Sequence, residues 1–406
     1  MSKFFLPLFS FRRPHVLGFI LYFLAGFADG LMVPFFPLWA QHTAAIPVGL
    51  IGLLFGCYAG GELIAAPFIG GIADRVGRRP VLILSATGVG LGFIALYFTH
   101  GVIEAALVLV VIGIFESVLH PTIYTLIADV TPAAEHRHQF SIARVCSYAG
   151  GISGPLLGAV IVQSSLGDVF MASGIALLCG AVLLILCLPE TRKHGDEPDD
   201  EEEDEGFAAL LPVFRDRRLA ILLFWALLLG VSGSWVEAIL PLYAHNQLGM
   251  SNTDVGLLFT FGAVLNTFGQ ITLTKLFSRR SPLFIVLSAG LTLILAFGVL
   301  LTSPNILALV VAVCFYSLSQ MMVGPLMPAA VSQLAPARLR ATYMAALSVV
   351  SDLRDSVGPA TGTALFAVAY TLPWMLGIPV VVVAALGLGI SLSKRSKSSV
   401  QNSENV

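Results

Sequence analysis

Six carboxylates lie well inside otherwise apolar runs of this chain, away from their first turns: Asp29, Glu62, Glu116, Glu237, Asp352 and Asp355, with one arginine, Arg354, at similar depth. An ionised carboxylate at the centre of an apolar helix costs about 3 kcal/mol or more, so such residues face protein, water or a partner and are functional candidates by default. The chemistry open to them is reversible binding of protons or cations. Asp29, in Gly26-Phe27-Ala28-Asp29-Gly30 near the middle of the first run, is the leading proton carrier. The alternative is a structural carboxylate held by serine or backbone groups of a neighbouring helix. Glu62, beside Gly60 and Gly61, and Glu116, four residues before His120, read equally well as cation-attracting residues or as members of structural pairs. His120 stands beside Pro121 and reads first as a hydrogen-bonded packing residue, second as a proton relay. Asp352 and Asp355 are one turn apart on a helix face that Arg354 does not share, so at most one of them is expected to pair well with it. Because an uncompensated arginine is costly, a partner from another helix, Glu116 or Asp29, is expected. This group either holds two halves of the protein together or breaks when one acid takes a proton. Glu237, close to Trp235, is expected at an outer mouth, attracting cations or anchoring the interface.

The elements that position these residues follow from composition. The chain has 57% hydrophobic and 11% charged residues and a mean hydropathy of +0.88, which excludes a soluble domain with its charged fraction of about 25%. Runs of about 20 apolar residues in lipid must be helices, because hydrocarbon leaves no partner for free backbone groups. Twelve spans are expected, at 14–40, 47–70, 81–99, 103–128, 141–164, 169–188, 219–244, 252–276, 282–301, 305–333, 341–369 and 372–392. Lysines and arginines cluster at the N-terminus, after even-numbered spans and in the C-terminal tail, and none lies in an odd-to-even loop. By the positive-inside rule both termini are then cytoplasmic. The first span is too long for a removable signal peptide and has no small-residue cleavage site. Cys57, Cys146, Cys179, Cys187 and Cys314 all sit in spans without C-x-x-C spacing, which suggests apolar contacts rather than disulfides or metal. No metal site, cofactor or nucleic-acid partner is expected.

The chain is also written twice. Pro37-Leu38-Trp39-Ala40 recurs as Pro241-Leu242-Tyr243-Ala244, Gly52-Leu53-Leu54-Phe55 as Gly256-Leu257-Leu258-Phe259, and Gly154-Pro155 as Gly358-Pro359, each 204 residues on. Pro121 and Pro132 likewise reappear as Pro325 and Pro336. Such a repeat predicts two similar helix bundles with a site between them. Residues 196–205 read Asp-Glu-Pro-Asp-Asp-Glu-Glu-Glu-Asp-Glu and mark a solvated linker between the halves. No loop is large enough for a catalytic domain and no G-x-x-x-x-G-K-[ST] phosphate loop occurs, so the chain is not expected to be an enzyme or to use ATP directly.

Between spans 2 and 3 the chain reads Gly70-Gly71-Ile72-Ala73-Asp74-Arg75-Val76-Gly77-Arg78-Arg79-Pro80, which resembles the signature loop of the major facilitator superfamily. The pattern G-x-x-x-D-[RK]-x-G-[RK]-[RK] is met at Gly70, Asp74, Arg75, Gly77, Arg78 and Arg79. The resemblance implies a cytoplasmic charge latch against a neighbouring helix end, the start of span 11, with simple topology anchoring as the alternative. The second half reads Lys275-Leu276-Phe277-Ser278-Arg279-Arg280-Ser281-Pro282 and lacks the aspartate. In span 5, Gly150, Gly154, Pro155 and Gly158 are similar to the G-x-x-x-G-P-x-x-G-G motif of the drug:proton antiporter branch, departing only at Ala159. Small residues four apart let helices approach closely, and the proline bends its helix. Pro34 and Pro37 in span 1 fit the same branch, and Asp352-Leu353-Arg354-Asp355 is similar to an arginine-aspartate element of some of its multidrug exporters. The arginine that the family often places in span 4 is absent: Leu109 stands at that offset before Gly113.

The expectation is therefore an all-α integral membrane protein with the major facilitator fold, its twelve transmembrane helices in two pseudosymmetric six-helix bundles. Residues 1–190 form the N-terminal bundle, 191–216 the acidic linker, and 217–406 the C-terminal bundle with its tail. In the family, spans 3, 6, 9 and 12 are peripheral, and the six acids avoid them. The function implied is proton-coupled export of amphipathic organic compounds by a monomer in a bacterial inner membrane, its partners being substrate, protons and lipid. A rival is export of one sugar- or siderophore-like metabolite; a more distant one is a non-transporting receptor or scaffold.

Overall fold

The computed structural model describes residues 13–65, 77–132, 135–188, 215–277, 279–336 and 339–403. The acidic run at 196–205 and residues 66–76, which include Gly70, Asp74 and Arg75, lie outside the described residues. The first half supplies span 1 (Arg13–His42), span 2 (Val48–Ala65), span 3 (Arg78–Tyr97), span 4 (Val102–Asp129), span 5 (His136–Ile161) and span 6 (Asp168–Cys187). The second supplies span 7 (Arg217–Leu248), span 8 (Asn252–Phe277), span 9 (Pro282–Thr302), span 11 (Arg340–Val368) and span 12 (Leu372–Ser403). Span 10 is two pieces, Ile306–Val323 and Leu326–Leu334, where one helix was expected. The break falls at Gly324-Pro325, because a proline has no N–H to continue the helical ladder.

Local signals set several ends. Asp216, Ser281 and Asn305 cap spans 7, 9 and 10 by accepting from the backbone N–H groups of Arg218, Phe284 and Ala308. Gly249, at φ 65°, closes span 7. Span 7 thus ends at Leu248, a full turn beyond its expected limit.

Ten of these spans are long and apolar enough to cross a membrane, and spans 5 and 11 fall short of that apolarity. Their placement explains why. Span 5 packs on span 1 of its own bundle and span 8 of the other, while span 11 packs on span 7 of its own and span 2 of the other. Spans 3, 6, 9 and 12 make their principal contacts within their own bundles, and faces such as Leu84, Leu186, Leu291 and Leu386 are exposed as lipid contacts would be. The interior helices can carry polar side chains because protein and an internal cavity surround them, whereas the outer ones meet hydrocarbon.

The bundles meet at one end. Asn246 donates from its amide to Gln41 Oε1 at 2.9 Å, Gly52 N–H donates to Thr363 Oγ1 at 3.0 Å, and the Thr253 hydroxyl donates to the Ala159 carbonyl at 2.9 Å. The rings of His42 and His245 meet edge to face, 4.6 Å apart. This is the end whose loops hold no lysine or arginine. These four contacts between the bundles all lie at that end.

Candidate functional site

Glycine contacts bring the acid-bearing helices together. A Cβ on Gly113 of span 4 would stand 2.1 Å from the Tyr58 carbonyl oxygen of span 2, and one on Gly61 would stand 2.2 Å from that of Val110. Only bare backbone permits this crossing, and it sets Glu62 beside Glu116. Between spans 1 and 5 the same device recurs. A Cβ on Gly26 would lie 2.3 Å from the Ser147 carbonyl oxygen, and one on Gly150 would lie 2.2 Å from that of Phe23. Gly154 and Gly158 of the span 5 motif face Phe27 and Phe35 just as tightly, so these glycines act as a helix-crossing surface. They seat span 1 so that Asp29 turns inward.

Two adjoining chambers occupy the middle of the protein. The first, about 410 Å³, lies between spans 1, 5, 7, 8 and 10, with apolar walls such as Val33, Leu258 and Val313 and polar groups at Asn266, Gln270, Tyr316 and Gln320. The second, about 430 Å³, is lined by Asp29, Glu62, Glu116, Glu237, Asp352, Arg354 and Asp355, together with Tyr58 and His120. All seven ionisable residues singled out from the sequence therefore share one chamber. Asp29, Val33 and Glu237 line both chambers and form the boundary between them.

The acids differ in their surroundings. Glu116 is 4% exposed, His120 Nε2 lies 3.8 Å from its Oε1 one helical turn away, and among the described residues its Oε2 has no hydrogen-bond partner. Oxygen or nitrogen atoms of Asp29, Glu116 and His120 all lie within 4.8 Å of one another. The Tyr22 hydroxyl donates to the His120 carbonyl at 3.3 Å, and the two rings are 5.4 Å apart. His120 is thus packed as expected, yet its imidazole also belongs to the acid cluster.

Two expectations need correction. Glu237 does not stand at an outer mouth: span 7 continues to Leu248, about three turns further, so Glu237 lies at mid-depth facing the chambers. There it accepts a 2.5 Å hydrogen bond from the Tyr316 hydroxyl, which in turn accepts one at 2.9 Å from the Gln320 amide. Arg354 does not reach Glu116 or Asp29. It grips Asp355 with two parallel bonds, Nε to Oδ1 at 2.7 Å and Nη2 to Oδ2 at 2.8 Å. Helical spacing points adjacent side chains apart, but a long guanidinium arm folds back, and Gly230 of span 7 makes room, since a Cβ there would meet Arg354 Cδ at 2.6 Å.

At the basic end, Gly77 holds φ 101° and ψ 156°, a backbone conformation essentially confined to glycine. Arg78 pairs with Asp129 at the end of span 4, Nε to Oδ2 at 3.3 Å, and Arg79 donates to the Ile185 carbonyl of span 6 at 2.8 Å. Arg78 and Arg79 thus tie the described end of the signature loop to spans 4 and 6 of its own bundle, while Gly70, Asp74 and Arg75 lie outside the described residues. Near the start of span 11, the Tyr343 hydroxyl donates to the Asp216 carboxylate at 2.8 Å. Burial pushes the Asp216 carboxyl up, but the bonds from Tyr343 and the backbone, with the Arg218 charge, outweigh it and hold it below the usual carboxylate range.

Tyr58, Asn266, Gln270, Tyr316 and Gln320 were not anticipated. The signal was present as polar residues four apart, 266 with 270 and 316 with 320, in otherwise apolar spans.

Comparison with known proteins agrees with this architecture. The Major Facilitator Superfamily family model matches residues 18–359. A "Multidrug resistance protein MdtG" of Escherichia coli (strain K12 / DH10B) is 24% identical over 304 residues, covering 73% of this chain and 72% of its own length. The Escherichia fergusonii protein of the same name matches to the same extent. Among solved structures, the nucleoside transporter NupG superposes with a TM-score of 0.77 at 12% identity, over 93% of this chain and 98% of its own. The D-xylose-proton symporter superposes with a TM-score of 0.71 at 18% identity, over 92% and 95%. A twelve-span, twice-repeated helical protein with a central polar cavity and this match along most of its length belongs to the major facilitator superfamily.

Proposed function

We propose that this protein is a proton-coupled secondary transporter that exports amphipathic organic compounds by alternating access. The observation that carries the reading is the shared wall: a largely apolar chamber of drug-sized volume adjoins one lined by six carboxylates, with Asp29 on the boundary. A compound with an apolar body and a cationic group would find both surfaces at once, and its charge would compete with protons for Asp29. Asp352, Arg354, Asp355, Glu62 and Glu116 set the field around that exchange. The multidrug resistance relatives in Escherichia support the substrate class.

The bundles meet at the end without basic residues. With both termini cytoplasmic, as the positive-inside rule requires, the conformation is inward-facing, ready to load from the cytoplasm of a bacterial cell. Rocking about the contacts of spans 2 with 11 and 5 with 8 would open the other side. The latch residues Gly70, Asp74, Arg75, Gly77, Arg78 and Arg79 would set the stiffness of the first bundle during that motion. Residues 1–190 and 217–406 are the two moving bodies, 191–216 their tether, and one copy is sufficient for transport.

A second reading rests on the amides Asn266, Gln270 and Gln320 in the first chamber. These suit a hydroxylated metabolite, and structural neighbours include nucleoside and xylose transporters. Everted vesicles loaded with a pH-sensitive dye separate the two. Addition of a lipophilic cation releases lumenal protons in the wild type and not in Asp29→Asn under the first reading. A response to nucleosides or sugars, with none to any cation, supports the second.

A further inference from the structure

The mechanism above leaves His120 without a task, yet its imidazole completes a three-sided pocket. Asp29 from span 1 and Glu116 and His120 from span 4 present one carboxylate oxygen, another carboxylate oxygen and a ring nitrogen within 4.8 Å of one another. A first-row divalent metal holds such atoms at about 2.0–2.2 Å, which spaces them about 3–4 Å apart. Glu116 and His120 already stand at 3.8 Å, and rotation of the Asp29 carboxylate closes the remainder.

A second observation points independently to a ligand. Among the described residues, Glu116 Oε2 is buried with no hydrogen-bond partner, in a residue only 4% exposed. An unsatisfied buried polar atom is among the costlier features a fold can retain. A cation satisfies it directly. The frame around it is rigid, because the glycine crossing of spans 2 and 4 fixes the helix that carries both Glu116 and His120.

We propose that Asp29, Glu116 and His120 form a binding site for one divalent first-row transition-metal ion, its remaining positions open to the acid chamber. The imidazole sets the selectivity. Magnesium and calcium favour all-oxygen shells, whereas nitrogen joined to carboxylate oxygen suits zinc, iron, cobalt or nickel. Glu62, lining the same chamber, adds negative charge without being needed as a ligand. The site shares Asp29 with the proposed proton pathway but does not rest on it, since binding to the purified protein requires no gradient and no transport. A bound ion occupies the carboxylates a proton would use and so acts as an inhibitor of any proton exchange there.

The test is titration of detergent-purified full-length protein with Co²⁺, read by its visible d–d absorption, and with Zn²⁺, read by calorimetry. The expected result is one ion per chain, with Zn²⁺ displacing Co²⁺ and Mg²⁺ failing to do so. His120→Ala and Glu116→Gln each lose more than about 10-fold in affinity, a loss that even outer-shell partners of a metal produce. His100→Ala, in an exposed loop, binds as the wild type does. Absence of a Co²⁺ spectrum, or wild-type affinity in both site variants, overturns the proposal. If His120→Ala does not yield folded protein, Glu116→Gln decides alone.

Discussion

Gly52 of span 2 lies so close to Pro359 of span 11 that a Cβ at position 52 would stand 2.0 Å from the Pro359 carbonyl oxygen. The repeat places Gly256 and Pro155 at the matching positions of spans 8 and 5, where a Cβ would stand 3.0 Å from the Pro155 carbonyl oxygen. The internal duplication is thus visible as two glycine-on-proline contacts that close the same end of the protein, one tighter than the other.

Gly52→Val should therefore open that end. At 2.0 Å the obstacle is backbone, which has no rotamer to yield, and overpacking of this kind costs about 1–3 kcal/mol. The cost falls on the closed arrangement alone, so the population shifts toward the alternative access state. Labelling of a cysteine introduced at Gln41, beside Asn246, should speed up in Gly52→Val and rise less in Gly256→Val. Equal rates in all three proteins would show that this contact does not control closure.

Tyr316→Phe should destabilise the protein through Glu237. The phenol is the donor to the Glu237 carboxylate and the acceptor from Gln320, so its loss strands a carboxylate and an amide together. Hydrogen bonds to charged groups contribute about 1.5–3 kcal/mol. A double-mutant cycle of Tyr316→Phe with Glu237→Gln, read by thermal unfolding in detergent, should show coupling of about 0.5–3 kcal/mol. Additive effects would mean that the pair does not interact in the folded protein.

How far these features could be read in advance divides along physical lines. Hydropathy, the repeat and the absence of basic residues from odd-to-even loops are properties of whole segments, and lipid enforces them strictly, so the twelve spans and their two bundles were legible. The cost of burying charge made the six acids legible as a set, and they do share one chamber. Their pairings were not. A helical wheel gives the direction of Cβ and not the reach of an arginine, so it left open which of Asp352 and Asp355 pairs with Arg354 and pointed to a partner on another helix instead. The depth of Glu237 depended on where span 7 ends, which Gly249 fixes beyond the apolar stretch. His120 was legible as a neighbour of Glu116 by its spacing of four, but Asp29 joins them only through the glycine crossings, which spacing along one helix does not contain.

Acidification should weaken the attachment of span 7 to span 11 at the basic end. The Asp216 carboxyl is raised by burial, but the Tyr343 and backbone hydrogen bonds overcome that and leave it below its ordinary value when folded. A group lowered in the folded state contributes stability that is complete above its unfolded value, about 3.9, and is lost as pH falls through the folded value. Tyr343→Phe removes the strongest of those bonds, so the folded value rises and less stability remains to be lost. Unfolding followed from pH 7 downward should show a smaller acid-dependent drop in Tyr343→Phe than in the wild type. Identical pH profiles would remove Asp216 from the account.

Exchange of the charges at 354 and 355 tests whether their pair is structural or acts in the access cycle. Removing one partner of a buried pair costs about 3–5 kcal/mol, but these side chains are 36% and 49% exposed to the cavity, so water screens much of that. Asp355→Asn should then cost nearer the scale of exposed pairs, about 1 kcal/mol. The guanidinium, freed from Asp355, remains beside Glu237 and Asp352 in the same chamber and would pair with one of them. Folding therefore survives while the field at Asp29 changes, and the expected phenotype is altered transport with nearly unchanged thermal stability. The double variant Arg354→Asp/Asp355→Arg restores the pair but moves the cation to the other face of span 11. Wild-type transport in that variant would mean that only pairing matters. Folded but inactive protein would mean that the position of the positive charge opposite Glu237 is what the cavity requires.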